Sequence, residues 1–580
     1  MPTYTIERTG DKVELNDTHF KAKGGEGSIY IIGDVVYKVC EDGKMIPPGK
    51  FQELRVLDHP NIIVPQETLL YRKKPTGYTM RAVPGNPKPL AQILTKTFRE
   101  REGVTPDHMM KLVQKIAGIV RFIHSHKGYL QVDGNEFNYM VPDTFDDVYG
   151  IDTNSYQTPS YPAEVIMPSI RDWHVAKDGT GRYLFTELSD WYSFAIISFY
   201  MFTGIHPFKG FHPDYTNMKT MLTDNMQHCK SVLLPEVDYP KGAVYCPFED
   251  YIPGGKDGAY MQWYRAVFNE NRRAAAPKDF QAILTFVAKV KEIIGSNNFD
   301  ITELKQFAEQ IIGFYAHNGR EVVVTREKLH IGGKQLNRPA ERFRVGFTPS
   351  RNIPYAAWLD DEVLHLQDLD SDSPIKVGLL GKTLMSSEGR VYVQSNDHIF
   401  EIDFIEAGST VIAAPKSVAT ILPNATEMYQ GVAIQDMMGN YVASIFPAAG
   451  HHRQIRLDEI KEYRITEAKY EGNVLMIVAM HKESGQYDRF VYRFATDWAS
   501  HDLRKLENIA PTGINFTVLE NGIVISLTED EKIEVFSAKK DRPDIKSVDD
   551  PAIESDMRLC HVGTEARFAR GSKLYRIKFK

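Results

Sequence analysis

Five side chains in the first part of the sequence have types and spacings suited to holding phosphates and a hard metal ion. Lys38 ends the run Val35-Val36-Tyr37-Lys38. It lies eleven residues after Gly27 of Ala22-Lys23-Gly24-Gly25-Glu26-Gly27-Ser28-Ile29-Tyr30. Glycines in a strand–turn–strand let backbone N–H groups approach phosphate oxygens without a Cβ in the way, although such a hairpin is also an ordinary turn. A lysine among apolar residues on a central strand needs a counter-ion. Glu53, on the short helix that follows, is the expected partner; the plainer alternative is a surface lysine on an alternating strand. Asp133 stands five residues before Asn138 in Leu130–Val141, and Asp152 follows 19 residues after Asp133 in Val148-Tyr149-Gly150-Ile151-Asp152-Thr153-Asn154. Two carboxylates and an amide oxygen are hard ligands suited to Mg²⁺. Asp190 opens an apolar helix, where it fits either an N-cap or a brace that holds a loop from inside the core.

The elements that must position these groups change character along the chain. Lys12–Leu15, Ser28–Ile32 and Val35–Cys40 read as strands, the last two joined by the two-residue turn Gly33-Asp34. Phe51–Leu57 reads as a short helix ended by His59-Pro60, and Ile62–Tyr71 and Tyr78–Val83 as further strands. From about Pro106 the pattern is helical. Met110, Leu112, Val113, Ile116, Ile119, Val120 and Ile123 recur near a period of 3.6, and helices are expected to continue to about Gly313. From about Glu321 short strands recur instead. Marked at Leu364, Val391, Tyr441, Leu475, Val524 and Phe568, they are spaced 27, 50, 34, 49 and 44 residues apart. A core segment, a turn and an outer strand at such intervals fit a β-propeller, with a β-sandwich or another large all-β domain as the alternative.

Composition bounds the function classes. The 580 residues are 42% hydrophobic and 25% charged, an ordinary globular balance for two to four domains. The net charge is −7. After residue 320 there are 33 basic and 38 acidic residues, so that part carries −5 and the rest −2; neither is basic enough for a duplex-binding surface. Cys40, Cys229, Cys246 and Cys560 form no C-x-x-C pair, and the histidine pairs His124/His126 and His451/His452 lack partners at ligand spacing. Residues 1–20 show no apolar leader segment. The charge-free run Trp191–His206 is 16 residues, shorter than the roughly 20 a membrane span requires. A cytoplasmic protein without a membrane anchor is expected.

In their order along residues 10–315, these motifs resemble the protein kinase superfamily, in a form closer to divergent bacterial or phage kinase-like proteins. AKGGEGSI resembles the glycine-rich loop, VVYK the lysine strand, Met80-Arg81-Ala82-Val83 the gatekeeper and adenine-binding hinge, and QVDGNEFN the catalytic loop. Ile151-Asp152-Thr153-Asn154 stands at the D-F-G position, SDWYSFA with TGIHPF resembles helix F and its exit, and Arg273 resembles the arginine that pairs with the A-P-E glutamate. The resemblance implies an α+β bilobal kinase-like domain over 1–318 (lobes about 1–83 and 84–318), followed by the all-β domain at 319–580. It implies a nucleotide site of Gly24, Gly25, Gly27, Ile29, Val36, Lys38, Glu53, Met80, Arg81 and Val83. Asp133 would act on the acceptor hydroxyl, Lys38 on the phosphates, and Asn138 and Asp152 on Mg²⁺.

The resulting expectation is an ATP- and Mg²⁺-dependent Ser/Thr-type protein kinase whose β domain recruits protein substrates. Departures keep two other readings in play. Asn135 replaces a lysine usual two residues after the catalytic Asp, which fits a small-molecule kinase. Ala22 and Thr153-Asn154 replace a glycine and Phe-Gly, which fits a nucleotide-binding scaffold. Gln131 and Val132 replace His-Arg, so activity is expected not to depend strongly on phosphorylation between Thr153 and Ser169. Either Pro162-Ala163-Glu164 or Met167-Pro168-Ser169 occupies the A-P-E place; in the second case Arg273 lacks its usual partner.

Overall fold

A computed structural model describes residues 2–580 apart from 165, 242–243, 279–295 and 408–409. The first part is one antiparallel sheet. Its strands are β1 (Thr3–Ile6), β2 (Lys12–Glu14), β3 (Phe20–Gly24), β4 (Gly27–Ile32), β5 (Val35–Cys40), β6 (Thr68–Tyr71) and β7 (Lys74–Arg81), in the order β2-β1-β6-β7-β5-β4-β3. Alternation along β5 decides which residues face where. Val35, Tyr37 and Val39 pack with Leu69 and Tyr4 on one side, so Lys38 points to the other. The expected strand over Ile62–Tyr71 is shorter, because Ile63 N–H donates instead to Gly150 O at 2.9 Å.

Helices follow: α1 (Pro48–Leu54), α2 (Leu90–Ile93), α3 (Lys96–Glu102), α4 (Pro106–His124), α5 (Glu187–Thr203), α6 (Met221–Gln227) and α7 (Ala259–Phe268). Thr105 and Thr186 close capping boxes at the starts of α4 and α5, satisfying first-turn N–H groups. Helix α5 is buried from Ser189 onward and ends at Gly204, whose φ of +75° a residue with a Cβ adopts only with strain. A small sheet of β8 (Lys88–Pro89), β9 (Tyr139–Val141) and β10 (Tyr149–Gly150) lies between α2 and the loops that carry Asp133 and Asp152. No helix among the described residues is long and apolar enough to cross a membrane.

The rest is built from strands β11 (Phe299–Gln306) through β38 (Lys573–Phe579), arranged as seven four-stranded antiparallel sheets. Six are consecutive meanders. The seventh joins β11 to the last three strands, β36 (Arg558–Val562), β37 (Glu565–Arg570) and β38, in the order β11-β38-β37-β36, so the segment that enters the array also closes it. The second strands of the seven sheets start at Arg320, Pro354, Arg390, Val432, Val474, Ile523 and Glu565, 34 to 49 residues apart. The expected boundary at 318/319 is corrected by these pairings. It falls in the turn of the hairpin Ile311–His317/Arg320–Thr325, and the ring begins at Phe299. Helices expected up to Gly313 lie partly outside the described residues; where described, Phe299–Gln306 and Ile311–His317 are strands.

The ring's fifth and sixth sheets share a core with the helical region. Met476, Val478, Tyr487 and Phe516 belong to the same buried cluster as Leu112, Ile116 and Phe199. Polar ties cross the seam: Arg101 reaches both carboxylate oxygens of Glu467 at 3.0 Å, and Lys209 Nζ donates to Asn508 O at 2.7 Å.

Candidate active site

The Leu130–Val141 segment is held from beneath by Asp190. Its Oδ2 accepts the Gln131 N–H and its Oδ1 the Val132 N–H, each at 2.8 Å, while His124 Nε2 lies 2.9 Å from Oδ2. Asp190 is therefore the internal brace, and Thr186 is the cap of α5. The brace holds Val132 at φ +61°, a costly conformation for a β-branched residue. This turn presents Asp133 beside Asn138. Asn138 Nδ2 donates to Asp133 O at 2.7 Å and to Oδ2 at 3.3 Å, and Met167 N–H donates to Oδ1 at 3.0 Å. Burial pushes the Asp133 carboxyl up, and the nearby Asp152 charge adds to this, against the pull of the Met167 and Asn135 donors and Arg464.

Asp152 arrives from the next strand. Ile151 N–H donates to Asn138 O at 2.9 Å, which links the two loops, and Asp152 takes φ +57°. Its Oδ1 lies 3.3 Å from Lys38 Nζ. Lys38, Asp133, Asn138 and Asp152 thus meet in one cleft between the sheet and the helical region. Burial alone would lower the Lys38 ammonium's pKa; Tyr78, Asp152 and Glu26 together raise it above the ordinary lysine value.

The expected Lys38–Glu53 pair is corrected. The partner of Lys38 is Glu26, at the tip of the glycine hairpin, with Oε2 at 2.7 Å. Glu53 Oε2 instead accepts the Ser160 N–H at 3.2 Å. Asn154 completes the cluster: its Nδ2 donates to Glu26 Oε2 at 2.7 Å, and its Oδ1 accepts from Lys38 at 3.4 Å. Desolvation raises the Glu26 carboxyl, but the Lys38 charge and hydrogen bond, with Asn154, hold it below its ordinary value. Sequence reading passed over Glu26 and Asn154; a carboxylate at a hairpin tip twelve residues before the lysine was the available signal.

The remaining predicted nucleotide contacts sort by their surroundings. Gly24 and Gly25 face open space at the hairpin tip. At Gly27 a Cβ would lie 2.2 Å from Val39 O, so that glycine is demanded by strand packing. Ile29 pairs with Lys38 and Val36 with Met80 in the ladders. Arg81 is exposed, and its guanidinium reaches Pro60 O. Ala82 N–H donates to Asp34 O at 2.8 Å, whereas the backbone groups of Val83 have no hydrogen-bond partner among the described residues.

For a magnesium ion the donor set fits. The Asn138 amide nitrogen is engaged by Asp133, while its Oδ1 has no partner among the described residues, and Asp152 keeps a side chain 39% exposed. Among the described residues no group of three or more His, Cys, Asp or Glu side chains forms a metal cluster, so further ligands would come from a nucleotide's phosphates or water.

Arg273 pairs with neither A-P-E candidate. Its Nε and Nη2 bind the buried Asp172 at 2.6 and 2.7 Å, and it stacks on Tyr192 at 4.3 Å. Thr158 and Ser169 are buried.

No family model matches this chain, and no curated protein matches its sequence. Among solved structures, it is similar to Hsv2 of Kluyveromyces lactis, at 15% identity over 40% of this chain and 75% of that one (TM-score 0.26). It is also similar to the kinase PK-1 of the Cydia pomonella granulovirus, at 10% identity over 44% and 90% (TM-score 0.31). Likenesses of this size carry no functional argument.

Proposed function

We propose that the chain is an ATP- and Mg²⁺-dependent phosphotransferase of the protein kinase type, passing the γ-phosphoryl group to a Ser or Thr hydroxyl. The observation that carries this reading is the meeting of Lys38, Asp133, Asn138 and Asp152 in one cleft. Lys38 would bind the α- and β-phosphates, displacing Glu26, and the partnerless Val83 backbone groups suit an adenine edge. Asn138 and Asp152 would hold Mg²⁺, which when bound neutralises phosphate charge. Asp133 aligns the acceptor hydroxyl and takes its proton as the hydroxyl oxygen bonds to the γ-phosphorus; the bond from that phosphorus to the bridging oxygen breaks, and ADP leaves. The raised carboxyl pKa makes Asp133 a better base once ionised.

The ring, in this reading, selects the acceptor. A protein substrate docked on it is the leading case. A small-molecule acceptor is favoured by one observation. Gly485, in the turn between β29 (Val474–His481) and β30 (Tyr487–Phe494), comes so close to the loop before α5 that an added Cβ would lie 2.7 Å from Ser169 Oγ and 3.2 Å from Met167 Cγ. That contact seats the ring's turn on the segment whose Met167 N–H binds Asp133, where a bulky protein acceptor would have to enter. The test is incubation of the full chain with labelled ATP and Mg²⁺, alone and with cell extract, beside Asp133→Asn. Label on protein that the variant abolishes supports the kinase, label confined to small molecules supports the second reading, and no transfer by the native chain contradicts both.

A further inference from the structure

The cleft is short of positive charge on the side where transfer would occur. Lys38 is shared between Glu26 and Asp152. Lys50 donates to Asn154 O at 2.6 Å, in the field of Glu164, Glu26 and Glu53. Asp133 is met by an N–H and an amide but by no cation within ion-pair distance among the described residues. A phosphoryl group in transfer spreads negative charge over three oxygens, and carboxylates alone would repel it.

One cation approaches from the ring. Arg464 lies on β28 (Tyr463–Glu471), and its guanidinium sits 5.0 Å from the ring centroid of Phe137, four residues after Asp133. Arg464 is half-buried, and its guanidinium makes no hydrogen bond or ion pair with the described residues. A guanidinium so placed has lost part of its water without gaining an anion. Its charge bears on both Asp133 and Glu136. The strand carrying it is fixed rather than loose: Arg464 pairs with Met480 in the ladder, Tyr463 Oη donates to Asp488 at 2.7 Å, and Tyr487 Oη donates to the buried Glu136 at 2.7 Å. The last bond ties the ring directly to the catalytic loop.

We propose that Arg464 is a catalytic residue contributed by the ring, whose guanidinium N–H groups bind the phosphoryl oxygens as the group passes to the acceptor beside Asp133. The planar fork of N–H donors matches phosphoryl oxygens in pairs, which an ammonium does not do. The ring is then part of the enzyme, and the helical region without it lacks a side-chain cation beside Asp133. This inference rests on the phosphotransferase reading above.

The test compares the native full chain with Arg464→Ala and Arg464→Lys, using Mg²⁺·ADP with and without aluminium fluoride, a mimic of the group in transfer. The native chain is expected to bind Mg²⁺·ADP about tenfold or more tightly with fluoride present. Arg464→Ala should bind Mg²⁺·ADP alone within twofold of the native chain and lose the fluoride-dependent gain, with Arg464→Lys between them. Loss of γ-phosphate from ATP under single-turnover conditions should slow about a hundredfold or more in Arg464→Ala. Unfolding midpoints of the unliganded variants matching the native chain exclude a packing effect; an alanine variant that unfolds early but a lysine variant that keeps both stability and the full fluoride gain overturns the assignment. A fluoride gain in Arg464→Ala equal to that of the native chain also overturns it, while leaving the phosphotransferase reading in place. Failure of the native chain to bind Mg²⁺·ADP at all sinks that reading, and this one with it.

Discussion

The ring and the cleft both hold charged groups away from water, but they balance them differently. In the ring, cations find carboxylates nearby. Arg504 grips Glu534 through two 2.9 Å bonds, Arg570 pairs with Asp556 and Glu554, and Arg567 pairs with Glu321 and Glu565. In the cleft, Lys38 is divided between two carboxylates and an amide, and neither Asp133 nor the Arg464 guanidinium closes an ion pair with another of the described residues. Closed pairs give a fold that is complete by itself. Open charges carry a desolvation cost that a bound ligand would offset.

Substitutions on the two sides of this contrast should behave differently. The largest effect is expected at Asp133→Asn, which should lower the rate of label transfer from ATP by about 10²–10⁴-fold with little change in the unfolding midpoint. Because burial raises its carboxyl pKa and the base acts ionised, the native rate should rise with pH through an inflection above the ordinary aspartate range. Arg273→Ala breaks a closed, buried pair and should destabilise the fold by about 3–5 kcal/mol in urea titrations. Tyr487→Phe removes the donor to Glu136 where the ring meets the Leu130–Val141 segment, an expected cost of about 1–3 kcal/mol by the same measurement. Glu26→Gln frees Lys38 from a carboxylate that is 47% solvent-exposed, so ATP affinity should rise only about two- to fivefold in equilibrium titrations. Equal losses of stability at Asp133 and Arg273 would erase the distinction between open and closed charges.

Much of the cleft was legible because its chemistry is written in short local runs. Lys38 shows as a charge in an apolar strand, and Asp133 with Asn138 as a five-residue spacing whose two ends do meet. Partner choice was not legible. Glu53 is the nearer guess on a helix, but only the closure of the hairpin decides that Glu26 reaches the ammonium. Arg464 joins the site from a strand more than 300 residues downstream, and no local pattern records that. The ring's period was blurred for a concrete reason: Val391, Leu475, Val524 and Phe568 mark second strands of their sheets, while Leu364 and Tyr441 mark third strands, so the first three counted intervals ran short, long and short. Its first strand was hidden because FDITELKQ carries charged residues on an edge that pairs only with the far end of the chain.

The central claim is that groups distant in sequence form one site for a nucleotide and a metal ion together. Its most direct test is the dissociation constant for ATP, measured on the full chain with Mg²⁺ and with EDTA, beside Asp152→Asn. The account predicts that Mg²⁺ tightens ATP binding to the native chain and that the variant loses this dependence. ATP binding that is absent, or that responds to Mg²⁺ equally in both proteins, would contradict it.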